Sequence, residues 1–106
     1  MKPYQPIIAL VLALAAPALA ADEPTVFEIK QAFDPVQMQL DAGAQLSFVN
    51  ADDVNHDMAV IAPGGDVVDH GVMKPGDSVM VPFAVAGVYT VICHVHPRMK
   101  MKVTVH

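Results

Sequence analysis

Polar and apolar residues alternate along much of the chain after residue 24, and this period of two is typical of β-strands with one face in a core. In residues 25–30, Phe27 and Ile29 lie on one side and Glu28 and Lys30 on the other. We expect the apolar side of this strand to face the core. Similar runs, each bounded by turn residues, cover residues 36–40, 45–50, 58–62, 79–85, 88–93 and 101–105.

The number and spacing of these runs indicate the fold class. Seven or eight short strands, with no stretch of sustained helical period, predict an all-β domain built as an antiparallel sandwich or a small barrel. Residues 32–35 are expected to interrupt the strands, and the pattern in residues 66–72 is too weak to assign. A chain of this length can bury one core, so we expect a single folded domain.

The first 20 residues differ in composition from the rest. Lys2 precedes an apolar run over residues 7–20, which ends in Ala18-Leu19-Ala20, with small residues at the positions that a signal peptidase recognises. A membrane anchor would need a longer run, of about 18 to 20 apolar residues. We therefore expect residues 1–20 to be a cleaved signal peptide and residues 21–106 to be the exported, periplasmic domain.

The charge of the chain excludes one class of partner. Eleven acidic and six basic residues give a formal net charge of -5, which argues against binding to nucleic acid. Three of the basic residues lie close together near the end of the sequence, at Arg98, Lys100 and Lys102.

The residues with the most distinctive chemistry lie between positions 93 and 101. Cys93 is the only cysteine, so it cannot form a disulfide within the chain, and two histidines and two methionines follow it closely. A thiolate, imidazoles and a weak thioether are the ligands of an electron-transfer copper site. The expected set is Cys93, His96 and, from upstream, His56, with Met99 or Met101 as the axial ligand.

These motifs resemble the cupredoxins, the blue (type 1) copper proteins, and within that family the amicyanins most. The likeness extends over nearly the whole of residues 21–106. It rests on the turn and strand that end in Asn50, on Gly87-Val88-Tyr89 before the cysteine, and on Cys93-x-x-His96-Pro97-x-Met99 with the closing strand after it.

The resemblance implies a Greek-key β-sandwich and one copper ion bound by His56, Cys93, His96 and Met99. Met101 instead fits the longer ligand spacing of plastocyanin and pseudoazurin. The proline after His96 and the register into the closing strand favour Met99.

Two positions depart from the family pattern. The cupredoxins usually have asparagine after the first histidine ligand, where this chain has Asp57, and a small hydroxyl residue after the cysteine, where it has His94. In the family these positions link the two ligand-bearing loops by hydrogen bonds. We expect Asp57 and His94 to form a substitute pair that orients the ligands; the alternative is that both face solvent.

The resemblance also implies a function. It predicts a monomeric periplasmic carrier, not an enzyme, that passes one electron between redox proteins such as c-type cytochromes or a dehydrogenase or reductase, without membrane insertion. Arg98 replaces an aromatic residue of amicyanin, and with Lys100 it predicts a basic docking surface around the exposed edge of His96. Alternatively, these two side chains are only solvated charges.

Three other functions are weighed against electron transfer. Copper handling or resistance is supported by His56-x-Met58 and by seven methionines. Zinc could occupy the same ligands. A Cys-His nucleophilic enzyme is disfavoured, because Cys93 and His94 are neighbours on a strand and should point to opposite faces.

Overall fold

A computed structural model describes residues 23–106, so the predicted signal peptide and its cleavage site lie outside the described residues. Nine strands form this part of the chain. They are β1 (Thr25–Ile29), β2 (Ala32–Asp34), β3 (Gln37–Leu40), β4 (Ala44–Asn50), β5 (His56–Ile61), β6 (Val67–Met73), β7 (Ser78–Phe83), β8 (Gly87–Cys93) and β9 (Lys100–Val105). Over residues 23–106 there is no helix with the length and hydrophobicity needed to span a bilayer.

The strands form two sheets that enclose one core. One sheet has the order β2-β1-β4-β7 and the other the order β3-β9-β8-β5-β6. The predicted all-β sandwich is confirmed. It contains nine strands rather than seven or eight.

The additional strands lie at sheet edges. Residues 32–34, predicted as a break, form β2, and the unassigned segment forms most of β6. Most residues of β6 are exposed or only half-buried on both faces. An edge strand without a buried face carries no alternating pattern, so its sequence does not reveal it.

Two strand pairs are parallel, which the antiparallel expectation missed. β1 runs parallel to β4, and β3 runs parallel to β9. Side chains alternate with a period of two in both kinds of pairing, so the sequence pattern of one strand does not indicate the direction of its neighbour.

The buried face of β1 is opposite to the predicted one. Val26 and Glu28 are 0% exposed, whereas Phe27 is 45% exposed. The reason lies in the register, because Val26 pairs with Phe48, whose side chain is in the core. The carboxyl group of Glu28 is therefore carried into the interior.

The core between the sheets is mainly aliphatic and aromatic. Phe33 packs edge-on against Phe48, with ring centroids 6.2 Å apart, and Phe83 does the same with Tyr89 at 4.9 Å. The Tyr89 hydroxyl donates a hydrogen bond to the carbonyl of Val85 at 2.7 Å.

Candidate metal centre

Three of the predicted ligands meet at one end of the sandwich. The Nδ1 atoms of His56 and His96 are 3.1 Å apart, and each lies 3.7 Å from the Sγ atom of Cys93. The centre of this triangle is about 2.0 Å from each corner, close to the roughly 2.0 to 2.3 Å of metal–nitrogen and metal–sulfur bonds at zinc sites. The three donors are thus spaced to hold one metal ion.

Strand pairing explains how residues 56 and 93 come together. β5 and β8 are antiparallel, with Met58 opposite Cys93, so the start of β5 lies beside the end of β8. His56 precedes Met58 by two residues and therefore faces the same inner side of the sheet. His56 is 0% and Cys93 is 3% exposed.

A tight loop between β8 and β9 supplies the third donor. The amide of Met99 donates to the carbonyl of His96 at 2.8 Å, and the amide of Cys93 donates to the carbonyl of Met99 at 3.2 Å. These bonds fix the loop and place Met99 opposite Cys93, at 1% exposure. Met101 is equally buried but pairs with Val91, one step further into the core.

Asp52 orients the buried histidine and was not singled out by the sequence. Its Oδ2 atom lies 3.0 Å from Nε2 of His56. Because a carboxylate can only accept a hydrogen bond, Nε2 carries the proton, and the lone pair of Nδ1 is left to face Cys93. The backbone N–H of Gln31, and after it the His56 ring, hold the pKa of Asp52 below its ordinary value.

The sequence also matches a known family. The model of the cupredoxin-like domain aligns with residues 6–105. This chain belongs to the cupredoxin-like family. The resemblance inferred from the motifs is therefore confirmed.

One curated relative shares part of its sequence with this cupredoxin. The methylamine utilization protein MauL of Methylophilus methylotrophus is 30% identical over 76 residues, which are 70% of this chain and 44% of MauL. The chain thus spans less than half the length of that relative.

Two solved structures share the fold. A reduced amicyanin variant is 25% identical, with a TM-score of 0.72, and the match covers 84% of this chain and 88% of that one. A purple cupredoxin from Nitrosopumilus maritimus is 22% identical, with a TM-score of 0.69, covering 78% of this chain and 99% of that one.

The donors of this cupredoxin fit a type 1 copper ion. The sulfur of Cys93 and two imidazoles lie within 4.8 Å of one another, and Met99, whose carbonyl accepts the Cys93 amide, is buried in the same core cluster. Soft sulfur and imidazole ligands of this kind suit copper in both oxidation states.

The link between the two ligand-bearing segments is made by the main chain. The amide of His94 donates to the carbonyl of Asp57 at 2.9 Å, and the amide of Asp57 donates to Sγ of Cys93 at 3.5 Å. The side chains of Asp57 and His94 form no direct hydrogen bond or ion pair. Nε2 of His94 lies 3.8 Å from Oδ2 of Asp69, and a donor atom of Asp57 lies within 4.8 Å of both residues. Asp69 comes from β6, the strand that the sequence left unassigned.

Two further buried polar groups lie near this end of the fold. The Asn50 side chain donates to the carbonyls of Val54 and Met73 and accepts the amide of Asp52, which fixes the loop before His56. Both carboxyl oxygens of Glu28 are buried and have no hydrogen-bond partner within residues 23–106. Burial, and after it the charge of Asp52, raise the pKa of Glu28 to about 7.

The surface around His96 is basic, as predicted, but its second charge differs. His96 is half-buried and lies in a shallow depression of about 450 Å³ together with Arg98 and Lys30. Lys100 lines a different depression, beside Lys102. Lys30 therefore takes the place expected for Lys100.

Proposed function

We propose that this cupredoxin is a periplasmic one-electron carrier whose copper ion is held by His56, Cys93, His96 and Met99. The observation that carries the proposal is the triangle of two nitrogens and one sulfur whose centre lies about 2.0 Å from each atom. Bound copper would supply a one-electron couple between Cu(I) and Cu(II).

Burial and rigidity of the ligands support electron transfer over catalysis. His56 and Cys93 are enclosed, and His96 alone of the three reaches the surface. Asp52 fixes the His56 ring, and main-chain hydrogen bonds fix the loop from Cys93 to Met99. Ligands held in this way need to rearrange little when the charge of the ion changes, and they provide no open position for a substrate.

Met99 would be the fourth residue to hold the ion, because the loop bonds lay it opposite Cys93 and it is buried. Met101 pairs with Val91 instead and continues the hydrophobic core. The two methionines provide a matched pair of variants for the test described below.

The proposed location and partners rest on separate observations. Residues 1–20 have the composition of a signal peptide, and metal ligation would protect the thiol of Cys93 in an oxidising compartment. Lys30 and Arg98 flank the exposed edge of His96. They favour a redox partner with an acidic rim, such as a c-type cytochrome, a dehydrogenase or a reductase, which would dock on a monomer in a salt-dependent way.

Copper handling is the second candidate function, and the burial of four of the methionines argues against it. Met58, Met73, Met99 and Met101 are each at most 3% exposed. They therefore form no surface cluster to which Cu(I) could be transferred, and the predicted His56-x-Met58 motif has its methionine in the core.

The test is to add Cu(II) to the metal-free protein and to record visible and electron paramagnetic resonance spectra. We expect an intense thiolate-to-copper band that is lost in Cys93→Ser. Met99→Leu should keep the band and raise the reduction potential, whereas the control Met101→Leu should leave the potential nearly unchanged. Tight, colourless binding of Cu(I) with ready release would support copper handling instead.

A further inference from the structure

A second group of metal-binding side chains lies on the opposite face of the five-stranded sheet. One donor atom from each of Asp57, Asp69 and His94 lies within 4.8 Å of the other two. We propose that these three residues form a binding site for a divalent cation of the zinc type, separate from the copper site. This proposal does not depend on the proposed function.

Adjacent strands place the three residues side by side. His94 follows β8 and is bonded through its amide to the carbonyl of Asp57 on β5, and Asp69 lies on β6, the next strand in the sheet. Asp57 and His94 directly follow His56 and Cys93 in sequence. Neighbouring residues on a strand point to opposite faces, so this pair faces outward while the copper ligands face inward.

An irregularity in the pairing brings Asp69 to the outer face. β5 and β6 are in register up to Met58 and Gly71, but the next pair is Ala59 with Asp69, which leaves one extra residue on β6. Without that residue, Asp69 would lie opposite Val60 and face the core. Gly71 has a φ of 77° at this bulge, a conformation that favours glycine.

The spacing of the donors suits a small ion. Three atoms that are no more than 4.8 Å apart lie within about 2.8 Å of a common point. Zinc bonds to imidazole nitrogen and carboxylate oxygen are about 2.0 to 2.2 Å long. Movements of less than about 1 Å by side chains that are partly exposed would therefore close the site.

The carboxylate oxygens of this cluster have few hydrogen-bond partners within the described part of the chain. Oδ1 of Asp57 is buried and has no hydrogen-bond partner within residues 23–106. Asp69 accepts the amide of Gly71 through Oδ1 at 2.7 Å, but its Oδ2 atom is 3.8 Å from the His94 ring, too far for a hydrogen bond. A buried carboxylate oxygen without a donor is costly, and a divalent ion would satisfy both carboxylates.

Two carboxylates and one imidazole select the kind of cation. Carboxylates favour hard ions and imidazole favours zinc and its neighbours in the transition series, so the combination suits Zn²⁺, with water completing the coordination. The cluster contains no thiolate or thioether, so the metal ion that it prefers differs from the one preferred by the copper site.

The experiment is a calorimetric titration of Zn²⁺ into the full chain loaded with one equivalent of copper. We expect one equivalent of zinc to bind without displacing copper, which elemental analysis of the dialysed protein would measure. Asp69→Asn keeps an oxygen for the Gly71 amide but removes the charge. This variant and His94→Gln should each weaken zinc binding at least tenfold.

Matched controls use residues of the same type outside the cluster. Asp66→Asn and His70→Gln should leave zinc binding unchanged. The proposal is overturned if the copper-loaded protein binds no zinc, which would leave His94 as an ion-pair partner only, or if the control variants weaken binding as much as Asp69→Asn does.

Failure of the copper site would be recognised separately. If copper does not load, the metal-free protein is titrated with zinc, and two equivalents are expected. Asp69→Asn should remove one equivalent and Cys93→Ser the other. Retention of both equivalents in Asp69→Asn would refute the second site, whatever Cys93→Ser does.

Discussion

Replacing Glu28 with glutamine should change how the stability of the protein depends on pH. The carboxyl group is fully buried, both of its oxygens lack partners within residues 23–106, and its pKa is raised from 4.5 to about 7. Between these two pH values the folded chain keeps a proton that the unfolded chain releases. The folded state is therefore favoured most at low pH and loses this contribution as the pH rises through about 7.

The size of the effect follows from the two pKa values. At 1.36 kcal/mol for each pKa unit, the difference between 4.5 and about 7 corresponds to about 3 kcal/mol of unfolding free energy. This is a large part of the about 5 to 15 kcal/mol that stabilises a typical domain. Glutamine cannot ionise, so Glu28→Gln should lack this loss. Burying the glutamine amide lowers the unfolding free energy at every pH. The test therefore compares how much the unfolding free energy of each protein changes between pH values.

Urea unfolding of the metal-free protein, followed by circular dichroism at about pH 4.5, 6 and 8, measures the effect. The other titrating groups are common to both proteins and cancel in the comparison. Glu23→Gln, at an exposed position, should behave as the parent does. Parallel stability curves for the parent and Glu28→Gln would refute the reasoning, because they would show that Glu28 titrates alike in the folded and unfolded chains.

Three further substitutions test other parts of the structure. Asp52→Asn weakens the hydrogen-bond acceptor of the His56 ring and should lower copper affinity about 10- to 100-fold in a chelator competition assay. Gly87→Ala should lower the unfolding free energy by about 2 to 4 kcal/mol, because φ is 140° and the added Cβ would lie 2.5 Å from Pro63. Arg98→Glu should slow oxidation of the copper-loaded protein by ferricyanide, an anion, and high salt should abolish the difference.

Each of these substitutions has a matched control. Asp53→Asn should keep copper affinity, since Asp53 has no hydrogen bond to His56. Gly76 also has a positive φ, but within residues 23–106 no atom beyond its chain neighbours lies within 4 Å of a Cβ added there. Gly76→Ala should therefore lower the unfolding free energy by only about 1 kcal/mol. Lys102→Glu lies away from His96 and should leave the ferricyanide rate nearly unchanged. A control that changes as much as its partner would contradict the corresponding explanation.

The ligand loop could be predicted because its chemistry is local in sequence. Cys93, His96 and Met99 fall within seven consecutive residues, and few functions need that combination of donors. His56 was predicted as a third ligand from its residue type, and the family resemblance supported it, but nothing in the spacing of residues 56 and 93 shows that they meet. Their contact depends on the register of β5 against β8.

The missed residues depend on register in the same way. Glu28 is inward because the register of β1 against β4 places Val26 beside Phe48, and Asp69 reaches His94 because one extra residue shifts β6 against β5. A one-residue change in pairing moves every side chain to the other face of a sheet. The apolar residues at positions 27 and 29 favoured the wrong buried face for β1. The alternation of residue types within β1 does not show which register it takes against β4.

The position of β9 inside its sheet has a consequence for the order of assembly. β9 lies between β3 and β8, and the bond from the Cys93 amide to Met99 closes the loop just before it. The donor triangle is therefore complete only when β9 is paired on both sides, and we expect this to happen late in folding. Copper should therefore bind after the fold has formed and stabilise it. The rate constant for refolding should then be the same with and without the ion.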